Sequence, residues 1–332
     1  MSASTFRMHR AIAGTAVTGS ATTEPTGSRA PLYQSLTTTV PKEFVHRASV
    51  AEVMLTDWRP VAEDRFAVDA QWPRGHSFFA NVDGCHDTLI AAETIRQAGI
   101  LLAHAEYDVP LGHHFLVSDL SVTVRPEQVR VDWTPASLEL DVRCVDVKRR
   151  GANVSGFRIE VTIYRDGALA ATGGGALTCM NPRVYERLRA ARVPTGERPE
   201  VIALTAPEAP QTVGRMSPTD VVLSPVGEPG RWQLRVDTRH PVLFDHMVDH
   251  VPGMVLLEAS RQAAAATLGH ASLPLSISSE FLRYVELNAP CVIEARRLTD
   301  VHQDGGQTVL VTAYQGEAEV FRCTVAMAAP TD

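Results

Sequence analysis

The sequence contains no window of eighteen or more consecutive apolar residues, and its beginning lacks the apolar run of a secretory signal. A helix needs about 20 apolar residues to cross a bilayer, so no membrane span is predicted. The missing signal run gives no support to export. We therefore expect the protein to act in the cytoplasm, without a membrane partner.

Cysteine is scarce, since only five cysteines are scattered through 332 residues and none forms a Cys-x-x-Cys pair. An odd, widely spaced set argues against both a disulfide framework and a zinc knuckle. Two Asp-His pairs, at 245–246 and 249–250, suggest a metal-binding pattern, but no third ligand is evident. We predict buried thiols, no metal site and no cofactor.

The sequence also lacks an excess of basic residues, because 31 lysines and arginines stand against 38 aspartates and glutamates. The formal net charge of −7 provides no broad positive field for a phosphate backbone. A nucleic-acid ligand is therefore not expected. The substrate should be small or carried by another protein.

What the chain does contain is an internal repeat. Residues 93–98 read ETIRQA, and residues 258–263 read EASRQA, 165 positions later. Upstream, the pattern V-x-R-x-S-x-x-x-V-x-L at 45–55 recurs at 213–223, and downstream VTIY at 161–164 recurs as VTAY at 311–314. A repeat of this length indicates two like domains in one chain and not a short-period solenoid.

The repeat and the composition together divide the chain. We place the first domain at 36–180 and the second at 213–329, joined by a linker at 181–212 that carries five prolines and a short helix candidate around 185–192. Residues 1–35 are rich in Ser, Thr, Ala and Gly. Such a composition buries too little apolar surface to offset ordering entropy, so this arm is expected to be disordered.

Each repeat is predicted to contain one long buried helix. In the first repeat, Asp87 is a suitable N-cap for a helix that is apolar on nearly every face and ends near 108–112. In the second, the helix runs from Pro252 to about Leu268. The stretches predicted as strands are 66–72, 115–124, 138–148, 155–165 and 168–178 in the first repeat, and 232–238, 277–285, 291–298, 308–314 and 320–327 in the second.

One buried helix followed by four antiparallel strands, found twice, is typical of a sheet wrapped around a central helix. We therefore predict an α+β fold of two tandem hotdog domains that form an intramolecular pseudo-dimer. We expect the two copies to pair face to face, with an apolar acyl tunnel between their helices.

Each predicted helix carries a single polar face. An acid, an arginine and a glutamine stand at positions i, i+3 and i+4: Glu93, Arg96 and Gln97 in the first helix, and Glu258, Arg261 and Gln262 in the second. Burying an unpaired charge costs several kcal/mol, so these groups must be paired or must face a wet cavity. The alternative to a catalytic role is that acid and arginine merely neutralise one another inside the sheet.

A more specific pattern precedes the second helix. His246, Pro252, Gly253 and Glu258 follow in the order seen in hotdog 3-hydroxyacyl-carrier-protein dehydratases, which this run resembles. In those enzymes a loop histidine and a helix carboxylate meet across a dimer interface. The spacing between the histidine and Pro-Gly is shorter here.

Longer strings indicate a closer family. The chain carries VHR at 45–47, QWPRGH at 71–76, HDTL at 86–89, ETIRQAG at 93–99, LLAHAEY at 101–107 and HPV at 240–242. With these it closely resembles the A-factor synthase (AfsA-type) family of actinobacteria over about residues 40–328. The resemblance implies an acyltransferase that joins a β-ketoacyl group, carried as a thioester on acyl carrier protein, to dihydroxyacetone phosphate. The product would lead to a γ-butyrolactone, butenolide or furan signalling molecule.

This reaction needs an oxyanion site and a base. Pro252 and Gly253 begin the second helix, where free N–H groups suit a developing oxyanion, whereas Asp87 would cap the first helix, so the two ends should differ. The base must take the hydroxyl proton of the acceptor. We predict Glu258 as the base, on the expectation that its surroundings raise its pKa. Glu93 would support the pseudo-symmetric site, and His246 is a further catalytic candidate.

The acceptor also brings a phosphate, which suits the planar fork of arginine. Arg261 is our first choice, and Arg96 is its repeat equivalent. Arg47, Arg74 and Arg239 are weaker candidates, for which an ordinary solvated charge is the alternative.

Three further residues are predicted to contact the substrate. They are Gln97, Gln262 and His76, the last of which belongs to the QWPRGH string. Like the other assignments, these follow from the resemblance and from the shared polar faces.

Two functions of other classes stay open. A hotdog dehydratase or thioesterase would use the same histidine and glutamate on acyl thioesters, and a non-catalytic protein could simply bind an acyl ligand. The predicted partners are β-ketoacyl-acyl carrier protein and dihydroxyacetone phosphate. The chain itself is expected to be a monomer or a dimer of pseudo-dimers.

Overall fold

The computed structural model describes residues 36–151, 153–190, 201–301 and 306–330. The predicted N-terminal arm, 1–35, lies outside them. The described residues form three α-helices: α1 (Thr88–Ala105), α2 (Pro182–Arg189) and α3 (Gly253–Leu268). They also form twelve strands: β1 (Leu55–Ala62), β2 (Arg65–Trp72), β3 (His114–Val124), β4 (Ala136–Arg150), β5 (Asn153–Arg165), β6 (Ala168–Met180), β7 (Leu223–Pro225), β8 (Arg231–Leu234), β9 (Pro274–Phe281), β10 (Cys291–Val301), β11 (Gln307–Gln315) and β12 (Ala318–Met327).

All twelve strands join one antiparallel sheet, in the order β1-β2-β4-β5-β6-β3-β9-β12-β11-β10-β8-β7. The first six strands in this order surround α1, and the last six surround α3. This confirms the predicted tandem hotdog architecture. The expected face-to-face pairing was wrong, because the halves join edge to edge through β3 and β9, from Asp119 opposite Glu280 to Thr123 opposite Ser276.

Both central helices are buried, as predicted from sequences that are apolar on nearly every face. Asp87 caps α1 by accepting a 2.9 Å hydrogen bond from the backbone N–H of Leu89, which confirms the predicted N-cap. A Cβ at Gly173 of β6 would overlap the backbone carbonyl of Ser121 and lie 2.6 Å from Ile95 of α1, so a glycine is needed there. Each fully buried leucine of these helices contributes roughly 1.5–3 kcal/mol to stability.

The structure contains every predicted strand, with ends shifted by a few residues, and adds β1 and β7. These two lie at opposite edges of the sheet. β1 is largely exposed and contains Pro60, and β7 is three residues long and ends at Pro225. Edge strands tolerate proline and need no alternating apolar face, which explains why the alternation did not reveal them.

The remaining predictions concern the linker and the cysteines. The linker helix begins earlier than predicted, after Asn181, whose side chain accepts a 2.9 Å hydrogen bond from the N–H of Val184. Residues 191–200 lie outside the described part of the chain. All five cysteines are free and buried, as expected for core thiols. No helix among the described residues is long and apolar enough to span a bilayer.

Candidate active site

The polar face of α1 is an ion-paired cluster around one carboxylate. Glu93 has no exposed surface. Its Oε1 accepts hydrogen bonds from Arg96 at 2.8 Å and from Gln97 at 2.7 Å, and lies 2.7 Å from Arg47 Nη2. We call these four residues the first ridge.

The polar face of α3 repeats this cluster. Glu258 is also wholly buried. It accepts hydrogen bonds from Arg215 at 2.6 Å and from Arg261 at 2.8 Å, and a third from Gln262. These four residues form the second ridge. Arg47 and Arg215, which belong to the repeated V-x-R pattern, thus complete each ridge.

The two ridge carboxylates are strong acids. Burial alone would raise the pKa of Glu93, but Arg47 and Arg96 outweigh it and lower the pKa to about 2. Arg215 and Arg261 likewise overcome the burial of Glu258 and lower its pKa to about 2. The expectation of a raised carboxylate pKa is therefore not met, and both groups stay ionised at neutral pH.

The ridges also tie the halves together. Arg47, from the first half, donates through Nη1 to the carbonyl of Val242 in the second half at 3.1 Å. Arg215, from the second half, donates through Nη1 to the carbonyl of Phe78 in the first half at 2.5 Å. Each guanidinium therefore links the central helix of its own half to a loop of the other.

The two ridge glutamines form hydrogen bonds with backbone groups. Gln97 accepts a hydrogen bond from the N–H of Met54 and donates to the carbonyl of Glu52, just before β1. Gln262 makes the equivalent pair with Val222 and Asp220, just before β7. Both amides are thus occupied within the protein, although they were predicted to bind substrate.

His76 is likewise occupied within the protein. Its Nδ1 accepts hydrogen bonds from the N–H groups of Phe78 and Phe79, each at 3.1 Å. Its Nε2 lies 3.3 Å from Glu52. His240 makes the same set of contacts in the second half. This pair therefore holds equivalent turns, and His76 is not among the residues that line the cavity described next.

A cavity of about 1050 Å³ lies between the halves. β3 begins at His114, but its pairing with β9 starts only at Asp119, and the cavity follows the stretch of β3 that pairs with β6 but not with β9. Its apolar lining includes Ile100, Phe115, Leu120, Val242, Leu243, Met254, Leu256, Leu257 and Phe281. This volume and lining suit a small ligand with an aliphatic tail.

Only the first ridge reaches this cavity. Arg96 lines it and exposes 19% of its side chain, and Arg47 borders it as well. The side chain of Arg261 is only 2% exposed. Neither Glu258, Arg261 nor Gln262 is among the described residues that line the cavity. The predicted base and the first-choice phosphate ligand therefore lie apart from it.

An aspartate–histidine dyad lies in the cavity wall next to the first ridge. His246 lines the cavity with 47% of its side chain exposed, and its Nδ1 lies 2.5 Å from Asp245. Asp245 accepts a 2.9 Å hydrogen bond from the N–H of Ala48 and lies 3.5 Å from Arg47. Burial would raise the pKa of Asp245, but His246 and Arg47 lower it. A loop histidine of one half thus meets the helix carboxylate cluster of the other.

His46 lines the cavity as a neutral imidazole. Burial, and then His104, Arg96 and His246, lower the pKa of His46 to about 3. Its Nε2 lies 2.9 Å from His104 Nε2. Among the residues with described positions, no group of three or more His, Cys, Asp or Glu side chains could hold a metal ion.

The two helix N-termini differ, as predicted. Pro252 precedes α3 and no side chain caps this end, which lines the cavity through Gly253. A Cβ at Gly253 would lie 3.0 Å from Phe281. At the equivalent place Asp87 caps α1, is 1% exposed and lies 3.9 Å from Arg215. Free first-turn N–H groups therefore border the cavity at α3, whereas Asp87 occupies the N-terminus of α1.

This geometry accords with comparisons to known proteins. Residues 29–181 and 199–329 match the family model described as A-factor biosynthesis hotdog domain. The chain belongs to this AfsA family. A Streptomyces virginiae protein named 2-oxo-3-(phosphooxy)propyl 3-oxoalkanoate synthase is 54% identical over 292 residues, covering 87% of this chain and 98% of the relative. Proteins of the same name from Streptomyces griseus and Streptomyces coelicolor are each 42% identical, covering 84% and 86% of this chain and 92% and 90% of the relatives.

Within this AfsA-family site, sequence reasoning missed two residues. Asp245 was noted only as part of a metal-like pattern, and His46 only as part of the VHR string. The signal for both was their place beside residues already singled out, since Asp245 precedes His246 and His46 precedes Arg47. What the chain order did not show is that these two segments meet.

Proposed function

We propose that this AfsA-family protein transfers a β-ketoacyl group from a thioester to the hydroxyl of dihydroxyacetone phosphate. The name shared by its relatives describes such an ester, since 2-oxo-3-(phosphooxy)propyl is the skeleton of dihydroxyacetone phosphate and 3-oxoalkanoate is a β-ketoacyl group. The observation that carries the proposal is the Asp245–His246 dyad, which faces an apolar cavity beside Arg96. An aliphatic tail, a base and a phosphate ligand thus share one space.

His246 is assigned as the base. Asp245 holds the Nδ1 side of the ring, which leaves Nε2 to take the proton of the acceptor hydroxyl. The oxygen then attacks the thioester carbonyl, and a new C–O bond forms. When the tetrahedral intermediate collapses, the C–S bond breaks and the thiolate leaves with the proton from His246. Atoms and charges balance without any further reactant.

The N-terminus of α3 is assigned to the oxyanion of that intermediate. No side chain caps this end, so the N–H groups of Gly253 and Met254 can donate to a ligand. Donors fixed before the reaction stabilise the developing charge without reorganisation, and losing one such donor typically costs about 10²–10³ in rate. A side chain at 253 would meet Phe281, which explains the glycine.

Arg96 is assigned to the phosphate of the acceptor. Its Nε and Nη2 bind Glu93, and its side chain, which is 19% exposed, reaches the cavity. His46 lines the same cavity. Arg261, the repeat equivalent of Arg96, is buried in the second ridge and is assigned a structural role.

The ridge carboxylates are assigned positioning roles. Glu93 holds Arg47 and Arg96, and through Arg47 it is linked to Asp245. Glu258 holds Arg215 and Arg261 outside the cavity. A carboxylate with a pKa of about 2 is a weak base at neutral pH, so neither is assigned proton transfer.

The other functional classes receive less support. A dehydratase of the hotdog type needs a helix carboxylate that can exchange protons, and here both are held by two arginines each. A thioesterase would activate water with the same dyad, and the half-exposed His246 would admit it. A pure acyl binder would have no need of a histidine and an arginine in the cavity wall.

The donor is proposed to be a β-ketoacyl group on acyl carrier protein, because the cavity opens beside exposed residues such as Met247 and Leu282, where a carrier-bound thioester could enter. The state of association, monomer or dimer of pseudo-dimers, stays a prediction. Sedimentation of the purified chain measures it directly.

The test is incubation of the protein with a β-ketoacyl carrier protein, with and without dihydroxyacetone phosphate, followed by mass spectrometry. The proposal expects a phosphorylated ester and free carrier thiol only when the acceptor is present. Release of the free acid at equal rates with and without acceptor would indicate a thioesterase. Loss of water from a 3-hydroxyacyl substrate would indicate a dehydratase, and an unchanged thioester a binder.

A further inference from the structure

We propose that Tyr185 and Arg189 of the linker helix α2 are positioning residues that hold the loop 244–252 so that His246 faces the cavity. This inference rests on the proposed function only for its effect on turnover. We call residues 244–252 the His246 loop. The helix lies at one side of the cavity, which Tyr185 lines.

Arg189 binds two acids of the second half. Although it belongs to the linker, it is only 4% exposed. Its guanidinium donates to both oxygens of Glu286 at 2.8 and 2.7 Å, and to Asp249 at 3.0 Å. A further hydrogen bond of 3.1 Å reaches the Asp249 carbonyl, and the group lies 4.6 Å from the ring centre of Tyr284. Bidentate pairs of this kind fix direction as well as distance.

Tyr185 connects the same loop to the first half. Its hydroxyl donates to Asp249 at 2.5 Å. Its ring stacks on His114, at the start of β3, with ring centres 3.7 Å apart and planes 7° from parallel. One helical turn therefore touches both halves beside the cavity.

The His246 loop is thus anchored at two aspartates. Asp245 is held by Arg47 and the Ala48 N–H, and Asp249 by Tyr185 and Arg189. Burial would raise the pKa of Asp249, but His250, Tyr185 and Arg189 lower it, so the anchor is ionised at neutral pH. His246 lies between these anchors. Fixing both ends of so short a segment limits the directions its imidazole can take.

The same anchor serves the oxyanion site. Asp249 stands three residues before Pro252, the residue that precedes α3, so α2 also constrains the approach to the first-turn N–H groups. Arg96, which binds phosphate in the proposed function, is held instead by Glu93 on its own helix, α1. Loss of the anchor should therefore lower kcat while leaving the KM for dihydroxyacetone phosphate nearly unchanged.

The experiment compares Tyr185→Phe, Arg189→Lys and Arg189→Ala with Arg187→Ala. Arg187 is exposed on the same helix and serves as the matched control. Tyr185→Phe removes only the hydroxyl and keeps the ring on His114, so it should fold normally. Two quantities are measured for each variant: steady-state kcat and KM, and backbone hydrogen exchange of residues 244–252 by mass spectrometry.

We expect Arg189→Ala and Tyr185→Phe to lower kcat about 10- to 100-fold and to speed exchange in the His246 loop, because a misplacement of about 1 Å can cost 10²-fold. Arg189→Lys should recover part of both, and Arg187→Ala should match the wild type. If Tyr185→Phe matches Arg187→Ala in both rate and exchange, the inference is overturned, even should Arg189→Ala fail to fold.

Exchange also separates this inference from the proposed function. A wild-type protein that forms no phosphorylated ester defeats the proposed function, while faster exchange of the His246 loop in Tyr185→Phe still supports the anchor. Conversely, an active wild type whose loop exchange does not respond to Tyr185→Phe or Arg189→Lys defeats the anchor alone.

Discussion

Arg96 and Arg261 stand 165 positions apart at the same place on equivalent helices, yet only the guanidinium of Arg96 reaches the cavity. Their side chains are 19% and 2% exposed, and each binds the glutamate three residues earlier. The surroundings make the difference. The Asp245–His246 loop faces the first ridge, whereas buried Asp87 lies 3.9 Å from Arg215 of the second. Of the two ridges, only the first therefore opens to this cavity.

Arg96→Lys tests the phosphate site. Lysine keeps a positive charge beside Glu93 but loses the planar fork, so the fold should persist while the KM for dihydroxyacetone phosphate rises about tenfold, equivalent to ~1.4 kcal/mol. Steady-state kinetics with varied acceptor measure this. Arg261→Lys is the matched control, and it should leave that KM unchanged. A raised KM in Arg261→Lys with an unchanged KM in Arg96→Lys would instead assign the phosphate to the second ridge.

Glu258→Gln tests whether the second ridge is structural. The change removes the carboxylate that both buried guanidinium groups bind, so the free energy of unfolding should fall by about 3–5 kcal/mol. Urea unfolding measures the loss. The kcat per folded molecule should stay within about threefold of the wild type, because that ridge lies outside the cavity. A large drop in kcat at unchanged stability would return the role of base to Glu258.

His46→Asn tests the pH dependence of stability. The pKa of His46 is about 3 in the folded protein, because of burial and of His104, Arg96 and His246, against about 6.5 in an unfolded chain. The unfolded state therefore binds the extra proton between these values, and the contribution of His46 is complete above pH ~6.5 and is lost as the pH falls towards 3. Asparagine tolerates the φ of 51° at this position.

The expected result follows from the sign of this linkage. Unfolding free energies of the wild type should fall between pH 7 and pH 4, and those of His46→Asn should fall less steeply, by up to about 1.4 kcal/mol per pH unit. Urea titrations at four pH values give both slopes. Parallel curves for the two proteins would show that His46 is protonated in the folded state at these pH values.

Ile100→Ala tests which end of the cavity receives the acyl tail. Ile100 lies one turn beyond Arg96 on α1 and lines the cavity with Leu120, near the point where β3 and β9 begin to pair. Removing its side chain should favour longer β-ketoacyl groups by roughly fourfold per added methylene. Competition between carrier-bound substrates of different length, read by mass spectrometry, gives the ratio.

Leu101→Ala is the matched control for that competition. Leu101 is equally helical and fully buried, but it is not among the residues that line the cavity. The free energy of unfolding of Leu101→Ala should fall by about 2–5 kcal/mol, without a change in chain-length preference. An unchanged chain-length preference in Ile100→Ala would show that the acyl tail lies against another part of the cavity wall.

Much of the fold was predictable because it depends on local patterns. The apolar sequences of the central helices and the alternation in strands such as β5 reflect burial, which leaves a period in the sequence. β1 and β7 lie at exposed edges of the sheet and leave no such period in the sequence. The N-cap role of Asp87 was also predictable, since it depends on a hydrogen bond only two residues away.

The site was less predictable because it depends on contacts between distant segments. The repeat predicted one polar face on each helix, and it correctly placed an acid, an arginine and a glutamine there. Which ridge faces a cavity depends on Asp245 reaching Arg47 across the halves, and no spacing encodes that contact. His76 was chosen from a family string, but its ring nitrogens hold a turn.

We assign removal of the acceptor proton to the Asp245–His246 dyad and not to a ridge carboxylate. The single-turnover rate of phosphorylated-ester formation by His246→Gln, measured beside the wild type and beside Glu258→Gln, tests this assignment. The rate should fall about 10²–10⁴-fold in His246→Gln, with an unfolding transition close to that of the wild type. Ester formation by His246→Gln at the wild-type rate would show that another group takes the proton.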